Sequence, residues 1–178
     1  MESKAIYNLF KFIEDKKPQY KLPFKVKLIH APETLTKEDL NVKGDLGLSN
    51  TPIQSLPDNL TVGGFLDLEG CKNITSLPSG LKVKGSLDLR DTNITKLPPD
   101  LQVGDYGSLY LSNTPIQSLP DGLKVGGNLY LENTPIQSLP NGLKVGGILF
   151  LGDTPLSKKY TEEEIEAMVP GVKGDIYL

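Results

Sequence analysis

The sequence contains one histidine, His30, and one cysteine, Cys71, the two residue types that most readily form a base and a nucleophile. A cysteine nucleophile needs a neighbouring base to generate its thiolate, so catalysis would require these two side chains to meet. Cys71 lies in a turn insertion of a repeated region, whereas His30 precedes that region. We therefore expect His30 to be a surface residue and Cys71 to fill space in the turn, with no catalytic role for either.

Carboxylates are a second possible source of chemistry. Asp67 and Glu69, with Asp88 one repeat later, could act as a general acid and base. The same residues fit outward-facing polar positions on strands, which is the interpretation we favour. No cluster of cysteine and histidine has the spacing of a structural metal site. The sequence thus predicts a protein that is not an enzyme and that has no catalytic residues, no cofactor and no metal.

Composition restricts the fold and the partners. The 178 residues suffice for one domain, and a hydrophobic content of 38% without tryptophan predicts an aliphatic core. The formal net charge of -3, with both signs interspersed, lacks the basic surface that binds nucleic acid. A lone cysteine favours a reducing compartment. Because we find neither a signal peptide nor a membrane-spanning segment, we expect no membrane contact and a cytoplasmic location, in a bacterial cell or in host cytosol.

A unit of about twenty residues recurs along most of the chain, which is the mark of a repeat architecture. The units begin at Leu40, Leu60, Leu81, Leu101, Leu123 and Leu143. A truncated unit, 172–178, follows at the end. Since one unit cannot bury its own apolar side chains, the units are expected to stack on one another.

Each unit predicts one short strand and an irregular return. Leu87 and Leu89 flank Asp88, and this period of two indicates a strand with one buried face. A Gly-Gly pair such as Gly126-Gly127 precedes the strand, and we expect the chain to turn a corner there through backbone angles that other residues avoid. Leu-Pro later in the unit excludes a long helix on the return side.

Both ends of the array have candidate caps. Ile6, Leu9, Phe10 and Ile13 have the spacing of an amphipathic helix, which should end before Pro18. The alternation of Phe24, Val26 and Leu28 then predicts a degenerate first strand. We place this N-terminal cap at 1–39 and the array at 40–157.

The C-terminal cap is placed at 158–178. Thr161 and Glu164 have capping-box spacing, and Ile165, Met168 and Val169 form an apolar stripe. These features predict a short helix at about 161–169, followed by a last strand at the truncated unit.

The string LxLxxTxIxxLP resembles leucine-rich repeats, particularly the short bacterial or phage type with a Leu-Pro in each unit. The resemblance covers about residues 40–157 and the final strand. It implies a solenoid with a parallel strand ladder, a short irregular return side and helical caps; a flatter β-solenoid is the alternative. Where the family usually has asparagine, this chain mainly has threonine, whose hydroxyl can bond neighbouring backbone after the strand. These threonines are Thr51, Thr92, Thr114, Thr134 and Thr154.

The residues between the two strand leucines should share one exposed face. In chain order they are Gly47, Asp67, Asp88, Tyr110, Tyr130, Phe150 and Tyr177. The later members form an aromatic stripe with Ile148 beside it and Asn128 and Glu132 at its rim. Adjacent exposed aromatics are typical of interface hot spots, although cross-strand stacking for stability is the alternative.

Two weaker features complete the surface. The fourth unit carries extra residues at 104–107, and Tyr106 among them could extend the aromatic stripe. Lysines adjacent to the repeat valine, namely Lys82, Lys124, Lys144 and Lys173, could attract an acidic partner, although such a row is more often a solvated flank.

The sequence therefore predicts a module that binds another protein, as an inhibitor, adaptor or effector that engages a cellular or host target. The predicted contact residues are Tyr110, Tyr130, Phe150, Tyr177, Ile148 and Tyr106. Two alternatives stay open. One is a structural or self-assembling protein, for example in a virion, and the other is a binder of small ligands or glycans.

Overall fold

A computed structural model describes residues 8, 9, 11–13, 15, 16 and 22–178. The repeats form a parallel β-solenoid of about six turns, which confirms the repeat architecture. Two helices, α1 (Phe24–His30) and α2 (Glu162–Met168), and a 3-10 turn at Pro32–Thr34 accompany the coils. The strands are β1 (Asn41–Val42), β2 (Leu46–Gly47), β3 (Thr61–Val62), β4 (Leu66–Asp67), β5 (Lys82–Val83), β6 (Leu87–Asp88), β7 (Gln102–Val103), β8 (Leu109–Tyr110), β9 (Lys124–Val125), β10 (Leu129–Tyr130), β11 (Lys144–Val145), β12 (Leu149–Phe150) and β13 (Ile176–Tyr177).

Each coil has two strands rather than the single strand that the sequence predicts. One strand of each coil joins a seven-stranded parallel sheet, the long ladder, in the order β2-β4-β6-β8-β10-β12-β13. The other joins the side ladder, which consists of β1-β3-β5-β7 and, separately, β9-β11. The prediction of one strand was wrong because it used only the alternation at Leu87 and Leu89. Leu81 and Val83, which are buried on either side of the exposed Lys82, show the same period of two.

Register explains why the coils stack. Leu109 pairs with Leu87 on one side and with Leu129 on the other, so equivalent leucines form a column through the molecule. Leu109 and Leu111 are completely buried, whereas the side chain between them points away from the core. The core is a continuous aliphatic column to which every coil contributes the same positions.

The turn after each long-ladder strand depends on two adjacent residues. Asn113 has a φ of 60°, in the left-handed region that Asn, Asp and Gly tolerate best. Thr114 follows, and its buried hydroxyl donates to the carbonyl oxygen of Leu111 at 2.6 Å. The predicted hydroxyl-to-backbone bonds are confirmed at Thr51, Thr92, Thr114, Thr134 and Thr154.

The Gly-Gly pairs do bend the chain, but for a different reason from the predicted one. The φ angles of Gly126 and Gly127 are not in the left-handed region. Glycine is required because a Cβ on Gly126 would collide with the carbonyl group of Asp105 in the preceding coil. The corner is thus a place of close backbone approach between coils.

The N-terminal end differs from the prediction. Residues 24–30 form α1 rather than a degenerate strand, and Leu28 packs against the core from this helix. Lys25 Nζ donates to the carbonyl oxygen of Gly47 at 2.7 Å, so α1 covers the outer edge of β2. Residues 8, 9, 11–13, 15 and 16 are helical, with Leu9 55% exposed, while Ile6 and Phe10 lie outside the described residues.

The C-terminal helix is confirmed. Thr161 and Glu164 form the predicted capping box, and Ile165 and Val169 are buried, although Met168 is half-exposed rather than part of the apolar stripe. β13 then rejoins the long ladder beside β12, as expected. None of the helices among the described residues is long and apolar enough to cross a lipid bilayer.

Candidate interaction face

The long ladder brings four aromatic rings into one continuous stack. The centroids of Tyr110 and Tyr130 are 4.6 Å apart with an interplanar angle of 9°, and those of Tyr130 and Phe150 are 4.5 Å apart at 5°. Tyr177 continues the stack 5.4 Å from Phe150 at 14°. This aromatic stack follows from the register, because successive coils place equivalent residues directly side by side.

Stacking determines which part of each ring a partner can reach. Tyr130 and Phe150 each have a neighbouring ring on both faces, so their exposed surface is the ring edge. Tyr110, Tyr130 and Phe150 are accordingly half-buried, whereas Tyr177 is 49% exposed. The face therefore presents a row of ring edges, with the most accessible ring at its C-terminal end.

Polar residues hold one rim of the stack in place. Asn128 Nδ2 donates to the hydroxyl oxygen of Tyr130 at 3.1 Å, and Asn128 Oδ1 accepts from the backbone N–H of Ile148 at 2.9 Å. Asn128 thus fixes both the ring of Tyr130 and the next coil. Ile148 is half-buried and lies two residues before Phe150.

The opposite rim is also occupied. Ser112 donates its hydroxyl to Glu132 Oε2 of the next coil at 2.6 Å. The carboxylate of Glu132 is therefore already hydrogen-bonded within the protein in the absence of a partner.

An arginine that the sequence interpretation missed covers the N-terminal end of the stack. The guanidinium carbon of Arg90 lies 5.4 Å from the centroid of Tyr110. Arg90 Nε donates to Asp88 at 3.0 Å, and Nη2 donates to Glu69 Oε2 at 3.0 Å. The hydrogen bond to Asp88 raises the pKa of the Arg90 guanidinium above its ordinary value, so this group stays charged.

This arginine also changes the interpretation of the carboxylates. Asp67, Glu69 and Asp88 each place one oxygen within 4.8 Å of the others. Asp88 is only 2% exposed, because Arg90 covers it, and is not the solvated position that the sequence predicts. The guanidinium of Arg90 thus offsets part of the negative charge of this carboxylate cluster.

Tyr106 does not extend the aromatic stack. It is 95% exposed and makes no ring contact with the stack among the described residues. It lies in the inserted residues 104–107, beside Lys124 of the side ladder. The lysine row is also less regular than predicted, because Val172 pairs with Val145 and so places Gly171, not Lys173, beside Lys144.

The two residues best suited to nucleophilic chemistry have unsuitable surroundings. Cys71 is completely buried in the position that threonine holds in other coils, and its Sγ donates to the carbonyl oxygen of Leu48 at 3.0 Å. His30 is exposed at the end of α1. No family model, no curated protein and no solved structure matches this chain.

Proposed function

We propose that this protein is a binding module that engages another protein through the exposed face of the long ladder, as an inhibitor, adaptor or effector. The aromatic stack from Tyr110 to Tyr177 is the observation that carries this proposal. Its rings are fixed before a partner binds, because each ring stacks on its neighbours and Tyr130 also accepts a hydrogen bond from Asn128. A pre-ordered aromatic surface binds at little cost in side-chain entropy.

Ring orientation favours a protein partner over a glycan or a nucleobase. Sugars and bases bind aromatic residues through the faces of the rings, and the faces of Tyr130 and Phe150 are already covered. A row of ring edges with Ile148 at its rim instead matches the apolar centre of a protein surface. Tyr110, Tyr130, Phe150, Tyr177 and Ile148 are the proposed contact residues.

We further propose that the array is a relative of the short leucine-rich repeats of bacteria and phages. The LxL strands, the threonine after most of them and the Leu-Pro on the return side support this relationship. Action inside a bacterial or host cell belongs to the same proposal.

A role without catalysis completes the proposal. The burial of Cys71 and the exposure of His30 support it, since a buried thiol cannot be reached by a substrate. The Cys71→Ser/His30→Ala variant should keep any cellular activity of the protein. A folded variant that lost this activity would revive a catalytic function.

The binding proposal is tested by capture from the native cell with three baits. The first is the wild type, and the second is the Tyr110→Ser/Tyr130→Ser/Phe150→Ser variant. The third is a matched control on the return side, where Gln54, Gln117 and Gln137 are all exposed and are changed to serine. We expect a partner that the wild type and the glutamine variant retain and the aromatic variant loses.

Circular dichroism and thermal unfolding must show that the aromatic variant is folded. As a second probe, Tyr110→Phe/Tyr130→Phe keeps the stack and removes two hydroxyls, so it should retain the partner. Retention by the aromatic serine variant, or loss by the glutamine variant, would place the binding face elsewhere.

A further inference from the structure

The side ladder is interrupted at one place, between β7 and β9. The coil that starts at Leu101 is two residues longer than the next one, and the extra length falls at residues 104–107. In the other coils a strand of this ladder is followed at once by a glycine or lysine corner. Here Asp105 and Tyr106 are inserted between the two corner glycines, Gly104 and Gly107. The strands on either side of the interruption, β7 and β9, do not pair.

The interruption leaves backbone groups without partners. Elsewhere in the ladder the N–H groups of Lys144 and Gly146 donate to the preceding coil, both at 2.9 Å. The equivalent N–H groups of Lys124 and Gly126 make no hydrogen bond within the described part of the chain. The facing carbonyl groups of Leu101 and Val103 accept none there either. β7 and β9 nevertheless stay within 8 Å of each other, which leaves no room for another strand between them. An acceptor oxygen of a ligand can still bond the free N–H groups.

A cleft lies along this interruption. Two adjoining cavities of about 440 and 610 Å³ share Val103, Asp105 and Lys124 in their walls. The larger one extends past Tyr106 across two more coils to Pro170. Neighbouring parallel strands are about 4.8 Å apart, so two coil spacings are roughly 10 Å, the length of about three extended residues.

The cleft is positively charged. Lys124, Lys144 and Lys173 line it, and all three are exposed. None of them forms an ion pair within residues 22–178. Lys124 and Lys144 are direct register partners, an arrangement of like charges that costs stability unless an anion lies nearby.

Two carboxylates line the same cleft, and neither forms an ion pair with these lysines within residues 22–178. Asp100 accepts a hydrogen bond from the backbone N–H of Gly80 at 2.7 Å. Asp100 and Asp105 thus carry two negative charges against the three positive charges of the lysines, so the cleft keeps a net positive charge. Unpaired N–H donors and an excess of lysines over carboxylates therefore point to the same ligand chemistry, an anion with several acceptor oxygens.

We propose that this cleft binds an acidic peptide segment of a partner protein. The carboxylates of the segment pair with Lys124, Lys144 and Lys173, a carboxylate oxygen accepts from the free N–H groups at the interruption, and Tyr106 packs against one end. This site lies on the side ladder and is independent of the aromatic stack on the long ladder. The protein would then hold two partners, or two parts of one partner, by different chemistry.

Fluorescence anisotropy with a fluorescein-labelled octaglutamate peptide tests the proposal. The wild type should give saturable binding that weakens as salt is added, because screening reduces charge attraction. Lys124→Glu/Lys144→Glu should weaken binding at least about tenfold, since the reversed charges repel the peptide. The matched control, Lys43→Glu/Lys82→Glu, makes the same charge change outside the cleft and should stay within about twofold of the wild type.

A deletion of Asp105 and Tyr106 tests the role of the interruption. It makes this coil as long as the next one and should allow β7 to pair with β9. The amide hydrogens of Lys124 and Gly126 should then exchange slowly with solvent, and octaglutamate binding should be lost. Capture of a partner by the aromatic stack should be unaffected, so failure of this site is distinguishable from failure of the proposed function.

Three outcomes would overturn the proposal. Equal weakening by the two lysine double variants would mean general charge attraction rather than a cleft. Displacement of the peptide by an equal concentration of citrate would mean a site for small anions. A wild-type dimer in sedimentation equilibrium that Lys124→Glu/Lys144→Glu dissociates would assign the cleft to a second copy of this chain.

Discussion

Arg90 connects the two halves of the long-ladder face. Its guanidinium lies over the ring of Tyr110 and, at the same time, pairs with Asp88, which is almost completely buried. One side chain thus terminates the aromatic stack and pairs with acidic residues of its own coil and of the preceding one.

Replacing this arginine should destabilise the fold. Arg90→Met keeps an apolar stem but leaves Asp88 buried without its cation, which we expect to cost about 1–3 kcal/mol in the free energy of unfolding. Urea denaturation measures this cost. In the double variant Arg90→Met/Asp88→Asn much of the loss should be recovered, and strictly additive losses would show that the pair is not coupled.

The left-handed turn residues should be sensitive to substitution. Asn113 has a φ of 60°, so Asn113→Ala should lower the free energy of unfolding by about 1 kcal/mol. Asn113→Gly should be nearly neutral, because glycine adopts this conformation without a steric cost. Equal stability of the alanine and glycine variants in denaturant titrations would contradict the assignment.

The threonine hydroxyls should contribute measurably to stability. Thr114→Val removes the donor to Leu111 while keeping the shape of the side chain, and should cost about 0.5–1.5 kcal/mol. Thr95 is exposed, and Thr95→Val should change stability by less than about 0.5 kcal/mol. A similar effect of both substitutions in thermal or chemical unfolding would mean that the buried hydrogen bond contributes little.

Asp39 predicts a pH dependence of the N-terminal cap. Burial by itself raises the pKa of Asp39, but hydrogen bonds from Thr36 and Lys27 outweigh it, so the pKa lies below its ordinary value. A carboxyl whose pKa is lower in the folded state stabilises the fold above its unfolded pKa, and this contribution is lost as pH falls through the folded value. The stability difference between wild type and Asp39→Asn should therefore shrink below about pH 4. Urea midpoints measured across this range would contradict the assignment if the difference stayed constant.

The sequence predicts the long-ladder strands better than the side ladder and the N-terminal cap. Leu87 and Leu89 identify a strand because they repeat with the correct period in every unit, and the same repetition predicts that the aromatic residues are neighbours. The side-ladder strands were missed although Leu81 and Val83 flank the exposed Lys82 with the same period of two, because the Gly-rich corner that follows suggested a turn rather than a strand. Residues 24–30 were predicted as a strand because their apolar spacing fits two structures. Phe24 and Leu28 satisfy a period of two, and they also share one face of a helix.

The interaction face was predicted in part. Stacking of Tyr110 on Tyr130 follows directly from alignment of the units. Arg90 was not recognised because it occupies a different position in its coil from the aromatics, and only the three-dimensional stacking brings it over Tyr110. The cleft at Tyr106 could not be predicted either, since the sequence shows the two extra residues but not which strand pairing they prevent.

The constant register also has an evolutionary consequence. Because each coil pairs only with its neighbours, and Gly122-Leu123 repeats as Gly142-Leu143, duplication or loss of the segment 123–142 joins equivalent positions and leaves both caps intact. Such an exchange lengthens or shortens the aromatic stack by one ring. The extent of the contact surface can therefore change in whole steps through unequal recombination between repeats, without any change in the rest of the protein.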